Sequence, residues 1–372
     1  MTTTLYAVGD LGPERDDPAS LFTRVREELR GGDIVFGQLE MNLTRRGTRM
    51  PQARHTARCD PRAAADLRDA GFTVLSWAGN HCMDWGPEGF HDTIDALTDA
   101  GITVAGVGAD LTAARAPRLV EHDGTTVAFL AYCSILPAGY WATGNRPGCA
   151  PLRAHTHYEQ IEPDQPGTPA RVHTYAHRED LAALLDDVRR ARELADVVVL
   201  SMHWGVHFVP AVLADYQREV AHAAVDAGAD LVLGHHAHIL KGVEVYRGKA
   251  IFYSLGNFAM DLPMTAEHAA RPSFRELLRL HPGWEPDLDS TYNFPPDSRK
   301  TVLVRCAIER GEITSVGFSP ADISRRSVPE LLSPADPRFT DVVDYLAAAG
   351  ADQGLDTVFT VEGDHVLVHA AT

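Results

Sequence analysis

Lysine is nearly missing from this chain of 372 residues. Only Lys241, Lys249 and Lys300 occur, and arginine supplies the remaining positive charge. Acidic residues outnumber basic ones, 51 to 34, for a formal charge of −17. A phosphate backbone is held mainly by clustered Lys and Arg, so nucleic acid is not expected as a partner, nor is an anionic membrane surface. Cysteine is scarce too. Cys59, Cys82, Cys133, Cys149 and Cys306 are odd in number and contain no CxxC pair. That argues against both a disulfide framework and a thiolate zinc site. No apolar run approaches the roughly 20 residues of a membrane span. The opening MTTTLYAVGD has no basic patch ahead of an apolar run, so no signal peptide is expected and the expected location is cytoplasmic.

What is present is alternation of strand and helix. Leu5 to Val8 reads as a strand running into Gly9-Asp10, and a helix from about Pro18 to Arg30 follows, with Leu21, Val25 and Leu29 on one face. Asp33 to Leu39 reads as a buried strand ending at Glu40. A helix near Pro61 to Ala70 stops at Gly71, a residue suited to a left-handed cap. Phe72 to Ala78 then runs into Gly79-Asn80-His81, and Pro87 to Ala100 reads as an amphipathic helix. Ile102 to Val107 and Thr125 to Cys133 read as further strands. Helices over about Arg178 to Ala195 and Leu213 to Ala227 lead into strands that end at His203-Trp204-Gly205 and Gly234-His235-His236-Ala237-His238. The expectation is one α/β domain over 1–372, with long irregular loops at about 137–173 and 263–300.

The chemistry lies in position. Five apolar strands each end in a group suited to a metal: Asp10, Glu40, Asn80, His203 and the His236-x-His238 pair. Ligands collect at the carboxyl ends of strands in α/β sheets. A carboxylate, amide and imidazole set suits a divalent cation of hard or intermediate character. Each motif alone has a bland reading. Gly9-Asp10 and Gly79-Asn80 are ordinary turn pairs, and a lone His after a strand is more often a hydrogen-bonded core residue. Five such endings in one register make chance the poorer explanation.

The ordered series Gly9-Asp10, Leu39-Glu40, Gly79-Asn80-His81 with Asp84-Trp85-Gly86, His203-Trp204-Gly205, Gly234 to His238 and Tyr253-Ser254-Leu255-Gly256-Asn257-Phe258 resembles the CapA family of capsule-type poly-γ-glutamate biosynthesis proteins. The resemblance spans roughly residues 5 to 262. It implies the calcineurin-like metallophosphatase fold, a four-layer α/β/β/α sandwich with a metal centre at one edge of paired sheets. Asp10, Glu40, Asn80, His203, His236 and His238 fall on the family's metal positions. Three departures stand out. Gly12 occupies the place where metallophosphatases usually carry a second ligand, most often His; Glu40 replaces the shorter Asp; and His207 replaces a usual acidic residue. One or two divalent ions are expected, with Ca, Mg or Mn favoured and Zn or Fe as alternatives.

Two reaction classes remain open on these residues. One is metal-assisted hydrolysis of a phosphoester or amide, with His81 as general acid. The other is proton transfer at carbon by His81, Asp84, His207 and His235, aided by the ion's stabilisation of the enolate. The chain is similar to the lasso-peptide epimerases, which invert the α-carbon of a C-terminal residue in a precursor peptide. That resemblance makes a peptide epimerase the leading expectation, with a phosphoesterase or peptidase as alternative and a degenerate binding protein third. Trp85, Trp204 and Asn257 are candidate substrate contacts. Against them stand packing beneath the site for the tryptophans and turn capping or ligand orientation for Asn257. Asp84 has the alternative of capping the helix near Pro87, His207 that of a surface residue, and His235 that of pointing into the sheet. Cys82 is expected to be inert. The oligomeric state is not legible.

Overall fold

A computed structural model describes residues 2–53, 57–270, 274–275, 278–279, 281 and 283–371. Its architecture follows from strands that bury both faces. Along Thr125–Cys133, Val127, Phe129, Ala131 and Cys133 point into one apolar core, while Ala128, Leu130 and Tyr132 point into another. Val197–His203 and Leu231–His235 alternate in the same way. Strands sandwiched on both sides read as continuous apolar runs, and these do.

Those strands lie in a six-stranded sheet ordered Val243–Tyr246, Lys249–Phe252, Leu231–His235, Val197–His203, Thr125–Cys133, Arg118–His122. Its four inner strands are parallel. The second sheet has ten strands. At its centre Thr2–Gly12 runs parallel to Ile34–Leu39, which runs parallel to Val74–Ser76. The other side of Thr2–Gly12 continues antiparallel into the long strands Lys300–Glu309 and Glu312–Ile323. The sheets face each other, as Phe36 on Phe129 illustrates, with ring centroids 5.6 Å apart and planes 2° from parallel.

Helices cover both outer faces. Arg178–Leu194 and Asp215–Ala227 lay Leu184, Val188, Val220 and Ala224 on the six-stranded sheet. Ala63–Ala70 and Gly86–Asp99 lay Leu67, Phe90 and Leu97 on the other, where Phe90 stacks on Trp77 at 5.2 Å. The result is the four-layer α/β/β/α sandwich that the resemblance implied. Gly71 caps its helix in the left-handed region, φ 120°, as its position suggested. Among the described residues no helix is long and apolar enough to cross a membrane.

Two expectations about elements need correction. The helix over Pro18 to Arg30 is instead a 3-10 turn, Pro18–Phe22, and a separate short helix, Arg26–Arg30. The hydroxyls of Ser20 and Thr23 donate to the carbonyls of Asp17 and Ser20, and this local bonding competes with the helical ladder. The 137–173 segment is not irregular throughout. Ala154–Glu159 pairs antiparallel with Arg171–Ala176 in a ribbon exposed on both faces, so its strands lack the alternation of apolar and polar residues that marks a half-buried sheet.

Candidate metal centre and active site

The parallel strands of both sheets end at one seam, and their first residues beyond the core converge there. Asp10 is pinned by its own amide, which donates to the Gly256 carbonyl at 3.0 Å. Gly9 permits this approach, since a Cβ there would sit 2.0 Å from the Gly256 oxygen. Glu40 follows its strand directly, with its amide on the Leu11 carbonyl at 2.8 Å. After Leu231–His235 the chain turns sharply, and His236 and His238 take φ of 84° and 55°. Left-handed histidines of this kind cost on the order of 1–3 kcal/mol each and persist where the surroundings hold them.

One half of the site is a tight, buried cluster. Glu40, His203 and His236 each offer a ligand atom within 4.8 Å of the others. Asn80 Oδ1 lies 2.6 Å from His203 Nε2 and 3.2 Å from His236 Nδ1, and the two ring nitrogens are 3.1 Å apart. Glu40 Oε1 is 3.6 Å from His203 Nε2. Both Glu40 oxygens are buried without a hydrogen-bond partner. Burial, then the nearby Asp10 and Asp84, push the Glu40 carboxyl well above the usual carboxylate range. Burial chiefly holds His203 and His236 well below the ordinary imidazole value, so both stay in the neutral, ligating form. Two buried carboxyl oxygens without any partner, beside the crowded Asn80 oxygen and the His203 and His236 nitrogens, are costly unless a cation joins them. These residues therefore fit a divalent ion, held by Glu40, Asn80, His203 and His236.

The other half is largely closed by its own contacts. Asp10 Oδ2 lies 3.2 Å from His238 Nδ1, and Asp10 Oδ1 lies 3.3 Å from His235 Nδ1. Burial opposes ionisation of Asp10, but these two histidines outweigh it and keep the carboxyl below its usual range. His238 Nδ1 also donates to Asn257 Oδ1 at 2.8 Å; the Asn257 amide donates to the Tyr292 hydroxyl at 2.9 Å, and that hydroxyl to the Ser298 carbonyl at 2.6 Å. With acceptors on both sides, His238 Nδ1 carries the proton and Nε2 keeps the lone pair. The space beside Gly12 is filled: a Cβ there would meet the Met260 side chain at 3.1 Å and the Met41 methyl at 3.2 Å.

Beside the cluster, Asp84 Oδ2 holds His81 Nδ1 at 2.6 Å, while the Tyr140 hydroxyl donates to Asp84 Oδ1 at 2.7 Å. Burial, then Asp84, push the Tyr140 hydroxyl far up, so it remains a donor. His81 Nε2 is 4.0 Å from Glu40 Oε1, and its side chain is 20% exposed. On the side of His236, the exposed ring of His207 lies 3.8 Å from the His236 ring and 5.2 Å from His238.

Three assignments change. His235 is fully buried behind Asp10, against Phe36, so it contacts no substrate and supports Asp10 instead. Trp204 is also fully buried; it stacks on Tyr253 and donates to the Tyr253 carbonyl at 3.0 Å, which makes it packing beneath the site. Trp85 is half-buried, with the Arg58 guanidinium over its ring at 3.8 Å from the centroid. Asn257 is buried and orients His238 rather than a substrate. Asp84 does not cap the following helix, whose N-cap is Trp85. Cys82 is buried, and burial holds its thiol protonated. Tyr140 and Tyr292 were missed as supporting residues, since no motif marks a hydroxyl that reaches back from a loop.

The model of the bacterial capsule synthesis protein family, PGA_cap, matches residues 4–262. The chain belongs to that family. Within it, the chain is 30% identical over 250 residues to the PGA biosynthesis protein CapA of Bacillus subtilis, covering 67% of this chain and 58% of that protein. It is 32% identical over 252 residues to a protein of Mycobacterium tuberculosis named a probable polyglutamine synthesis accessory protein, covering 67% and 60%. The chain thus matches less than two-thirds of the length of these family members. Among solved structures, the calcineurin-like phosphoesterase YfkN of Bacillus subtilis aligns over 94% of this chain and 97% of that one at a TM-score of 0.43 and 11% identity. An overlap that low carries no argument about activity.

Proposed function

We propose that this capsule-synthesis family member is a metal-dependent peptide epimerase, which inverts the α-carbon of a residue, C-terminal in a lasso-type precursor. The observation that carries the reading is that two solvent-reaching imidazoles, His81 and His207, border one buried ligand cluster at different ligands: His81 at Glu40, His207 at His236. A divalent ion held by Glu40, Asn80, His203 and His236 supplies stabilisation of negative charge on a substrate oxygen. Asp84 fixes the His81 tautomer, leaving Nε2 to take the α-proton or give one back. His207 serves the other face. The proton removed by one imidazole is balanced by the proton returned by the other, so no atom is gained or lost.

A cavity opens on the His238 side of the site. Phe208, whose ring lies 5.6 Å from His238, also lines a cavity of about 530 Å³ with Trp284, Pro295 and Asp297. The name of the mycobacterial relative refers to polyglutamine, an amide-linked chain, which supports a peptidic substrate. Family membership favours a second reading, hydrolysis of an amide or phosphoester, in which His81 protonates the leaving group. Incubating precursor peptides with the metal-loaded chain in deuterated water separates the two. One deuterium at a single α-carbon with the peptide intact is the expected result. Cleavage without exchange replaces epimerisation by hydrolysis, and neither outcome on any peptide sinks both for peptide substrates.

A further inference from the structure

Of the three lysines, two are paired with carboxylates: Lys249 with Asp230 at 2.7 Å and Lys300 with Asp297 at 2.9 Å. Lys241 is different. It is buried, and burial alone pulls its ammonium down from the ordinary 10.5 to about 8. Among the described residues no carboxylate pairs with it. A buried ammonium without a counter-charge is costly, and an apolar side chain of the same length is cheaper unless its donors are needed.

What meets Lys241 is backbone. Nζ donates to the Val209 carbonyl, and to the Val212 carbonyl at 3.0 Å. Both belong to the loop that follows His203-Trp204-Gly205, in which Phe208 and Ala211 take positive φ of 55° and 58°. Residues other than glycine are strained there and persist where neighbours hold them. Val212 is 40% exposed, so water is at hand for these carbonyls; what the ammonium adds is a fixed position. The loop carries His207, whose ring lies 3.8 Å from that of His236, and its Phe208, Val209 and Pro210 line the cavity. The Phe208 amide donates to the Ala237 carbonyl at 3.0 Å, and the Lys241 amide to the Ser254 carbonyl at 3.2 Å. Residues 236–241 therefore supply His236 and also grip the loop that supplies His207.

We propose that Lys241 is the positioning residue for His207. Its ammonium pins the 207–212 loop to the segment that bears His236, and so sets both the second imidazole of the site and the cavity wall beside it. The chemical role of His207 rests on the epimerase reading; the hold on the loop does not.

Lys241→Met keeps the length and removes the donors, while Lys241→Arg keeps charge and donors. Hydrogen exchange read by mass spectrometry on the full chain compares them. In Lys241→Met, peptides spanning 206–213 are expected to exchange roughly tenfold faster, while the strands Val197–His203 and Leu231–His235 keep the parent's rate. Lys241→Arg is expected to restore protection. The His207 imidazole NMR signal, identified by its loss in His207→Ala, is expected to shift in Lys241→Met. Bound metal is expected to stay at the parent's level, while α-deuteration of the precursor peptide falls roughly 100-fold, the scale of a misplacement of about 1 Å. Lys241→Gln, shorter but still polar, gives the same comparison where the Met variant does not fold. Unchanged exchange at 206–213 overturns the hold on the loop. A faster loop with α-deuteration at the parent's rate overturns the positioning of His207. A parent that deuterates no peptide fails the epimerase reading alone, and exchange with the His207 signal then decides on Lys241.

Discussion

The half of the site around Glu40 and the half around Asp10 use the same residue types at the same kind of strand end, yet they are physically different. In the first, ligand atoms of Glu40, His203 and His236 crowd within 4.8 Å and the Glu40 oxygens have no partner. In the second, His238 answers Asp10 Oδ2 and Asn257, Tyr292 answers Asn257, and two thioethers fill the space beside Gly12, although Asp10 Oδ1 and both His235 nitrogens also lack a hydrogen bond. A residue of ligating type at a strand end is thus not yet a ligand. Ligand atoms crowded around one point are what call for a cation, and among the described residues that condition is met in the first half.

The largest expected effect breaks the first half directly. His203→Ala removes the imidazole that touches Asn80, His236 and Glu40 together. Bound metal, read by elemental analysis, is expected to fall from about one equivalent to none, and activity with it. Retention of metal in this variant would relocate the centre to the Asp10 half. A smaller effect sharpens the contrast from the other side. Asn257→Ala leaves every cluster ligand in place but frees His238 Nδ1 from one of its two acceptors. Loss of such an orienting partner costs roughly 10–100-fold in metal affinity or activity. An unchanged protein would mean that His238 stands outside the functional site.

Much of this was legible in the sequence, and the reason is periodicity. Strands buried on both faces leave apolar runs whose polar endings stand out, so Asp10, Glu40, Asn80, His203 and His236 could be placed at one edge before any coordinates. Direction was harder to read. Of the three histidines in the Gly234 to His238 turn, positive φ at 236 and 238 sends those two toward the site while His235 turns into the sheet, and nothing in the composition of the turn dictates that. Tyr140 and Tyr292 act through loops whose path is set by tertiary packing. Gly12 could be read as a lost ligand, but its closure by Met41 and Met260 depends on strands distant in sequence.

The smallest expected effect belongs to the closed half and is a matter of pH. Glu14 follows Gly12, and its amide and that of Asp261 both donate to the Gly12 carbonyl, at 3.0 and 2.8 Å. Burial, then the Asp261 carboxylate, push the Glu14 carboxyl up from its ordinary 4.5 to about 7. Arg15 is committed to Asp261, at 2.8 Å from Nε. A carboxyl whose folded pKa is raised binds its proton more tightly in the folded chain. Its contribution to stability is complete below the ordinary value and is lost as pH rises through about 7. Glu14→Gln removes that proton linkage. Denaturant unfolding at pH 5 and pH 8 is expected to show a smaller loss of stability in the variant, by about 1–2 kcal/mol once partial solvent access is allowed for. An identical pH dependence in both proteins would mean that water or a cation already compensates the Glu14 charge, and that this edge of the closed half is more open than its packing indicates.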